Sequence, residues 1–451
     1  DVEVLEALYR HILDQRYSPE ALALEHEFQA VIFHQERTGV WFDERAAQSL
    51  YAELAAKRND AVTTLQEVFP PKRIEEIFIP KANNRTRGYV KGVPFTKVRY
   101  EPFNPASRQQ IADRLIEKHG WKPSEFTDTG QPKVDEDVLA SLPFPECKPL
   151  VDYLELLKII GMLAEGKNGW LKLVGPDGRI HGRVITNGAV TGRCTHNSPN
   201  LAQIPARGQY GKQCRALFAA PPPLVQVGAD ASGLELRMLA HYLAAYDGGA
   251  YAKVLLEGDI HTANQHAAGL ETRDDAKRFV YALCYGAGDA KLGEIMAPHA
   301  PLKTQERKGA AIRAKFMRSI PAMRRLTDDI KNTITGPNKR PYLIGIDGRH
   351  LHIRSSHSAL NTLLQSAGAV LMKLATVIFH VEAQRRGLKL GEDYVQVLHV
   401  HDEAQFNTTP EKADALGKLF VESIELAGRH FGMRCPTTGE FKVGANWAET
   451  H

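Results

Sequence analysis

Hydrophobic positions along the chain fall into long stretches of helical spacing separated by short runs of alternation. The first residues, DVEVLEALYRHILDQ, place Val4, Leu5, Tyr9 and Leu13 at helical intervals. Residues 44–68 and 148–164 are rich in Ala and Leu and dotted with charge, a helix-forming composition that predicts two antiparallel partners in an arm. Between them, residues 107–119 predict a further helix. The Gly, Pro and basic residues of 70–105 read as irregular or short-stranded. In residues 175–190 turn dipeptides bound short β-branched runs, which predicts antiparallel strands. Helical spacing dominates again from Leu234 to about Arg386, broken by a hairpin expected within 342–353. Strands return after Asp393, followed by a helix over 411–431. A sheet assembled from chain before and after a helical insertion is the simplest architecture.

Three segments carry candidate chemistry. In residues 272–288, TRDDAKRFVYALCYGAG, a helix would set Arg273, Lys277, Tyr281 and Tyr285 on one slowly drifting stripe. Thr272 with Asp275 reads as the capping pair at its start and residues 286–288 as its end. Two cations followed by two aromatics suit a ligand with phosphates and an aromatic base. A solvated amphipathic helix gives the same spacing. The run LVQVGADASGLELRMLAHYLA predicts a strand through Val225 and Val227, then a helix marked by Leu236, Leu239, Ala240 and Leu243. Asp230, at the junction, could hold a hard cation or simply cap the helix. YVQVLHVHDEAQFNT predicts a hairpin with His401, Asp402 and Glu403 at its tip. Aspartates from distant segments, set side by side on one sheet, could hold two divalent metals about 4 Å apart for phosphoryl transfer.

Composition narrows the setting more than the chemistry. The 451 residues imply two to four domains or subdomains, and 43% hydrophobic content fits a globular protein. No apolar run approaches the roughly 20 residues of a membrane span and the start shows no signal-peptide pattern, which points to a cytoplasmic protein without a membrane partner. Five scattered cysteines lack zinc-site or disulfide spacing. A net charge of +4 does not announce a nucleic-acid partner. Residues 81–100, however, hold six Lys or Arg and no acid, interleaved with aromatics, and could follow a phosphate backbone or form a solvated loop.

Taken together, DASGLELR at 230–237, RDDAKRFVYALCYG at 273–286 and HDE at 401–403 resemble the A, B and C motifs of family A DNA polymerases. TGRCTHNSPNLAQIP at 191–205 resembles a family segment between thumb and palm. DASGLELR, GDIHT and LNTLLQSAGA are most similar to the replicative polymerases of short-tailed bacteriophages. The resemblance implies an α+β, right-hand fold with helical thumb, antiparallel-sheet palm and helical fingers. The division it implies is 1–20 as the remnant after an absent exonuclease domain, 21–165 thumb, 166–240 and 391–451 palm, and 241–390 fingers with palm-connecting segments.

The function implied is addition of deoxynucleotides to a primer 3′-hydroxyl by two-metal nucleotidyl transfer, within phage-type DNA replication in a bacterial host cytoplasm. Asp230, Asp402 and the Ala231 carbonyl would hold two Mg²⁺ ions, with Mn²⁺ able to substitute, and Glu403 would support them. His261, Arg273 and Lys277 would grip the triphosphate, Lys277 also serving as general acid for the pyrophosphate. Tyr281 would lie against the sugar, where a tyrosine implies acceptance of dideoxynucleotides that family members with phenylalanine reject. Tyr285 would sit near the templating base, and Glu235 would fill the space a ribose 2′-hydroxyl needs. Arg193, Gln203, His357, Asn361, Gln365 and His401 match positions along the primer-template DNA, where polar groups can test minor-groove geometry without reading sequence. The helix carrying Lys277 is expected to close on a correct nucleotide. Asp1 resembles the last acid of a proofreading exonuclease, so a complete proofreading site is not expected in this chain, though a separate exonuclease domain or chain could accompany it. Residues 70–105 are shorter than the insertion by which a phage relative recruits thioredoxin. A thioredoxin-type processivity factor is therefore not expected, and Arg85, Arg87, Lys91, Lys97 and Arg99 could hold DNA directly. Two rivals remain: a single-subunit RNA polymerase, against which Glu235 speaks, and a non-catalytic DNA-binding subunit, against which the intact acids and cations speak.

Overall fold

The computed structural model describes residues 1–14, 17–298 and 300–451. They form two compact units, residues 45–172 and residues 1–44 with 173–451.

In the smaller unit the Ala- and Leu-rich segments form the helix Glu44–Val68 and the helix Cys147–Ile160, the latter ending in one π-helical turn, Gly161–Glu165. They run antiparallel. Tyr51 and Arg58 of the first hold Glu165 beyond the end of the second, at 3.0 and 2.6 Å. Leu65 and Phe69 share a core with Cys147 and Leu150. The helix Arg108–His119 closes this core with Ile111 and Leu115; Ser107 caps its start and Gly120, at φ 62°, ends it. Residues 70–105 are more regular than the expected irregular or short-stranded stretch. Lys72–Phe78 and Phe95–Glu101 pair antiparallel along their whole lengths, from Lys72↔Glu101 to Phe78↔Phe95. The ribbon is open on both faces, so no alternation of buried and exposed residues marks it in the sequence. Phe78, Tyr89 and Phe95 pack at one end, with ring centroids 5.3 and 4.9 Å apart.

The larger unit is built on a four-stranded antiparallel sheet in the order Tyr394–Val400, Glu403–Thr408, Val225–Ala231, Gly439–Gly444. Its strands come from before and after the helices of 234–385, as the periodicity predicts. The strands of 179–197 form as expected but lie in two other small sheets: Arg179–Ile180 pairs with Val40–Phe42, and Arg183–Ile185 with Thr195–Asn197. A period of two divides the main sheet. Val227, Ala229, Ala231 and Phe406 are buried against the helices Ala359–Arg385 and Pro410–His430, where Phe379, Phe406 and Phe420 meet with centroids 4.6 to 5.4 Å apart. The first of these helices is long and apolar enough to span a membrane, contrary to the expectation that no run approaches that length. Of its most apolar window 78% is buried within the protein, because it is a core helix packed on several sides.

The opposite face of the sheet carries the polar residues. Asp230 lies between Glu403 and Glu440, and Gly228 between Gln405 and Lys442. A side chain at Gly228 would meet the Gln405 amide and the Thr450 carbonyl oxygen, so only glycine lets the residues around Thr450 lie over the strand. Gly228→Ala should cost about 1–3 kcal/mol, the usual range for overpacking, read as a lower urea midpoint with unchanged slope.

Candidate active site

Backbone pairing brings the two aspartates of the sequence reading together. Asp230 stands near the end of its strand, opposite Glu403. Asp402 sits in the two-residue turn between Val400 and Glu403, and its carbonyl oxygen accepts the Ala231 N–H at 3.0 Å. His401 holds the first position of that turn at φ 59°, a left-handed conformation that favours glycine. Among the described residues neither Asp230 nor Asp402 has an ion-pair partner. Burial pushes the Asp230 carboxyl up to about 6, and the charges of Asp402, Glu440 and Glu403 add to that. The site has more negative charge than its own cations balance.

Glu403 is treated differently. It is 5% exposed, and Trp447 Nε1 and Gln405 Nε2 donate to Oε1. His451 Nδ1 lies 3.0 Å and an Arg215 guanidinium nitrogen 3.9 Å from Oε2. Burial works to raise its carboxyl, but the His451, Gln405 and Arg215 contacts outweigh it and leave Glu403 below the ordinary value.

The stripe folds as the helix Arg273–Cys284, capped by the Thr272 hydroxyl, which accepts the Asp275 N–H at 3.0 Å. The helix ends at the glycines expected to close it. Tyr285 is its C-cap, and Gly286 follows at φ 79° against the His357 carbonyl oxygen, where any side chain would collide. Arg273 is engaged by Asp259, with Nε and a terminal nitrogen 2.8 and 3.2 Å from its oxygens. Lys277 is exposed and makes no ion pair among the described residues. His261 is half-buried with Nδ1 unpaired. Burial, then the charges of Arg273 and Lys277, hold it below the usual histidine range. Tyr281 packs against the core of the larger unit, and the Tyr285 hydroxyl donates to Glu235. Glu235 is also 3.7 Å from Arg193.

Among the residues expected along DNA, Asn361 and Gln365 share a half-buried face of the Ala359–Arg385 helix. His357 keeps their four-residue spacing but lies in the preceding 3₁₀ turn, and Gln203 is exposed on another such turn. Burial and the Arg193 charge hold His401 below the usual histidine range. Arg215, Trp447, Gln405, Glu440 and Asp259 were absent from the sequence reading. An arginine beside the apolar run Ala216–Ala220 and a tryptophan near the end were the available signals.

An antiparallel sheet with acids at one end and a long helical insertion between its strands defines the polymerase class of nucleotidyltransferases. The family model described as DNA polymerase family A matches residues 91–449. The chain belongs to that family, and its activity is DNA-directed DNA synthesis. It is 39% identical to the DNA-directed DNA polymerases of Enterobacteria phage T3 and Escherichia phage T7, each alignment covering 100% of this chain and 75% of the relative. Among solved structures it is similar to the polymerase domain of Pol1 from M. smegmatis in complex with DNA primer-template and dNTP. That match has a TM-score of 0.76 at 21% identity and covers 94% of this chain and 70% of that one.

The raised Asp230 carboxyl has a sign that can be tested without metal. The folded protein keeps this proton to about pH 6 while the unfolded chain releases it near 3.8. The stabilising contribution is therefore full below about pH 4 and is lost as pH rises through 6. Asp230→Asn should melt about 2 °C or more above the parent at pH 7 in chelator, with the difference gone at pH 4.

Proposed function

We propose that Asp230 and Asp402 hold divalent metal for template-directed addition of deoxynucleotides to a primer 3′-hydroxyl. One observation carries the reading: two neighbouring carboxylates that make no ion pair among the described residues, one with its proton held to about pH 6. Among the described residues no group of three or more His, Cys, Asp or Glu forms a closed cage. An open pair of carboxylates suits Mg²⁺, which is usually held by one or two carboxylates together with substrate phosphates. Members of the family use divalent metals. When bound, two Mg²⁺ ions would lower the pKa of the primer hydroxyl and neutralise the leaving pyrophosphate, with Mn²⁺ able to substitute.

The chain's own groups do the rest. The strand pairing fixes Asp230 and Asp402 before substrate arrives. Lys277, free of acids, is available to the triphosphate and to the pyrophosphate as proton donor, with His261 beside it. Arg273 can join them by exchanging Asp259 for phosphate. Glu235, steadied by Tyr285 and Arg193, occupies the space against a ribose 2′-hydroxyl, and Tyr281 lies against the sugar. Arg193, Gln203, His357, Asn361, Gln365 and His401 would follow the primer-template. Within residues 21–165, read as the thumb, Arg85, Arg87, Lys91, Lys97 and Arg99 of the ribbon and its loop would meet the phosphate backbone directly. The setting proposed is phage DNA replication in the host cytoplasm.

Asp402→Ala should lower primer extension by about 10³-fold, the upper range for losing one electrostatic stabiliser at a reacting centre, while the dissociation constant for primer-template stays within threefold. Parental extension rates in that variant would remove Asp402 from the site. Tyr281→Phe should leave deoxynucleotide incorporation near the parent's and select strongly against dideoxynucleotides. Chain-termination ladders read the ratio directly, and an unchanged ratio would take Tyr281 away from the sugar.

A further inference from the structure

The residues that grip Glu403 are all outside the nucleotide and metal roles above. Trp447 is fully buried. Its backbone N–H donates to the Phe218 carbonyl oxygen at 2.8 Å, and Ala220 N–H donates to the Ala445 carbonyl oxygen at 3.0 Å. The segment 445–447 is thus stitched to 218–220. Arg215 lies over the Trp447 ring at 4.3 Å, its Nε and one terminal nitrogen find no hydrogen-bond partner among the described residues, and Glu403 stands beside it as a counter-charge. The Thr450 hydroxyl donates to Gln405 Oε1 at 2.8 Å, turning the Gln405 amide towards Glu403. Both oxygens of Glu403 are engaged by these groups, although Glu403 and Asp230 open on the same small cavity.

We propose that Trp447 is a positioning residue that acts through Glu403: with Gln405 it holds the carboxylate as a charge beside the metal pair and withholds it as a ligand. The proposal rests on the reading of Asp230 and Asp402 as metal ligands. A third carboxylate free to turn into the cleft would coordinate divalent metal itself, and it would take a position that substrate oxygens need. The holder therefore lowers metal affinity in the free protein while favouring the reaction, a pairing that damage to the fold does not produce.

Trp447→Phe keeps the ring beneath Arg215 and removes only the donor. It should lower kcat about tenfold, the scale of one hydrogen bond to a charged group, with nucleotide KM within twofold of the parent's. Mn²⁺ binding to the full chain without nucleotide, followed by electron paramagnetic resonance, should tighten severalfold. In a Glu403→Gln background the same substitution should change neither reading, because the group it acts through is gone. A parental kcat, a fall in kcat together with weaker Mn²⁺ binding, or a loss that multiplies the loss from Glu403→Gln would each overturn the proposal. If Trp447→Phe does not fold, Gln405→Met removes the second donor to the same oxygen, with the same expected and overturning readings. Asp402→Asn run alongside separates the two ideas: undiminished Mn²⁺ binding there would defeat the ligand assignment itself.

Discussion

Crowding of Asp230 by its neighbouring acids is the constraint from which the larger unit can be understood, because burial compounds it and the His451 charge offsets it only in part. The backbone imposes it: the ladder sets Glu403 and Glu440 on either side of Asp230, and the Ala231 N–H ties the Asp402 peptide to the same strand. Like charges this close in a partly buried site cannot all ionise at ordinary cost. Burial first, and these charges after it, keep the proton on the Asp230 carboxyl to about pH 6. The left-handed conformation of His401 adds local strain at the turn, so the acids are held by the sheet against both electrostatics and torsional preference.

The neighbouring acids differ in how they are compensated. Glu403 is more deeply buried than Asp230, and burial alone would raise its carboxyl further, yet donors to both oxygens bring it below the ordinary value. Asp230 receives no such donors, and its carboxyl rises. One strand pair thus carries a satisfied charge and an unsatisfied one directly opposite each other. Removing a donor from the satisfied acid leaves a buried charge under-compensated, which is costly. Adding a cation at the unsatisfied one lowers the energy of the folded state, so the proposed metal site is where the fold itself is most in need of positive charge.

Much of this was legible in the sequence because it depends on local order. Alternation into Asp230 placed that acid on a strand, the alternation around HDE put Asp402 at a hairpin tip, and the four-residue interval from Arg273 to Tyr281 predicted a helix face. The limits appear where tertiary contacts decide. The glycines of 286–288 marked the end of the helix, but the sequence could not show that Gly286 lies against the His357 carbonyl oxygen, a distant contact that no local pattern reports. For residues 70–105 the sequence left irregular and short-stranded structure open, because neither face of the ribbon Lys72–Phe78 with Phe95–Glu101 is buried, which erases the period that reveals strands. Arg215 and Trp447 look like core residues in one dimension. Only the fold shows that they meet at Glu403.

The ties on the helix Arg273–Cys284 show why its cations can serve an anionic substrate. Its first residue is held by Asp259 and its C-cap tyrosine by Glu235, both partly exposed acids. An exposed ion pair such as Arg273–Asp259 contributes little, because solvent screens it. Exchanging that carboxylate for a phosphate therefore costs little, while a triphosphate brings several charges to Arg273, Lys277 and His261 at once. On the proposed roles, Asp259 acts as a weak stand-in anion that keeps the start of the helix ordered. The stronger anion then displaces it at small cost, but its phosphates could approach the acids around Asp230 only with a divalent cation held between them. On the same roles, the cations of the helix and a metal held by Asp230 and Asp402 would each attract phosphate, and together they would favour a nucleotide bridging helix and sheet.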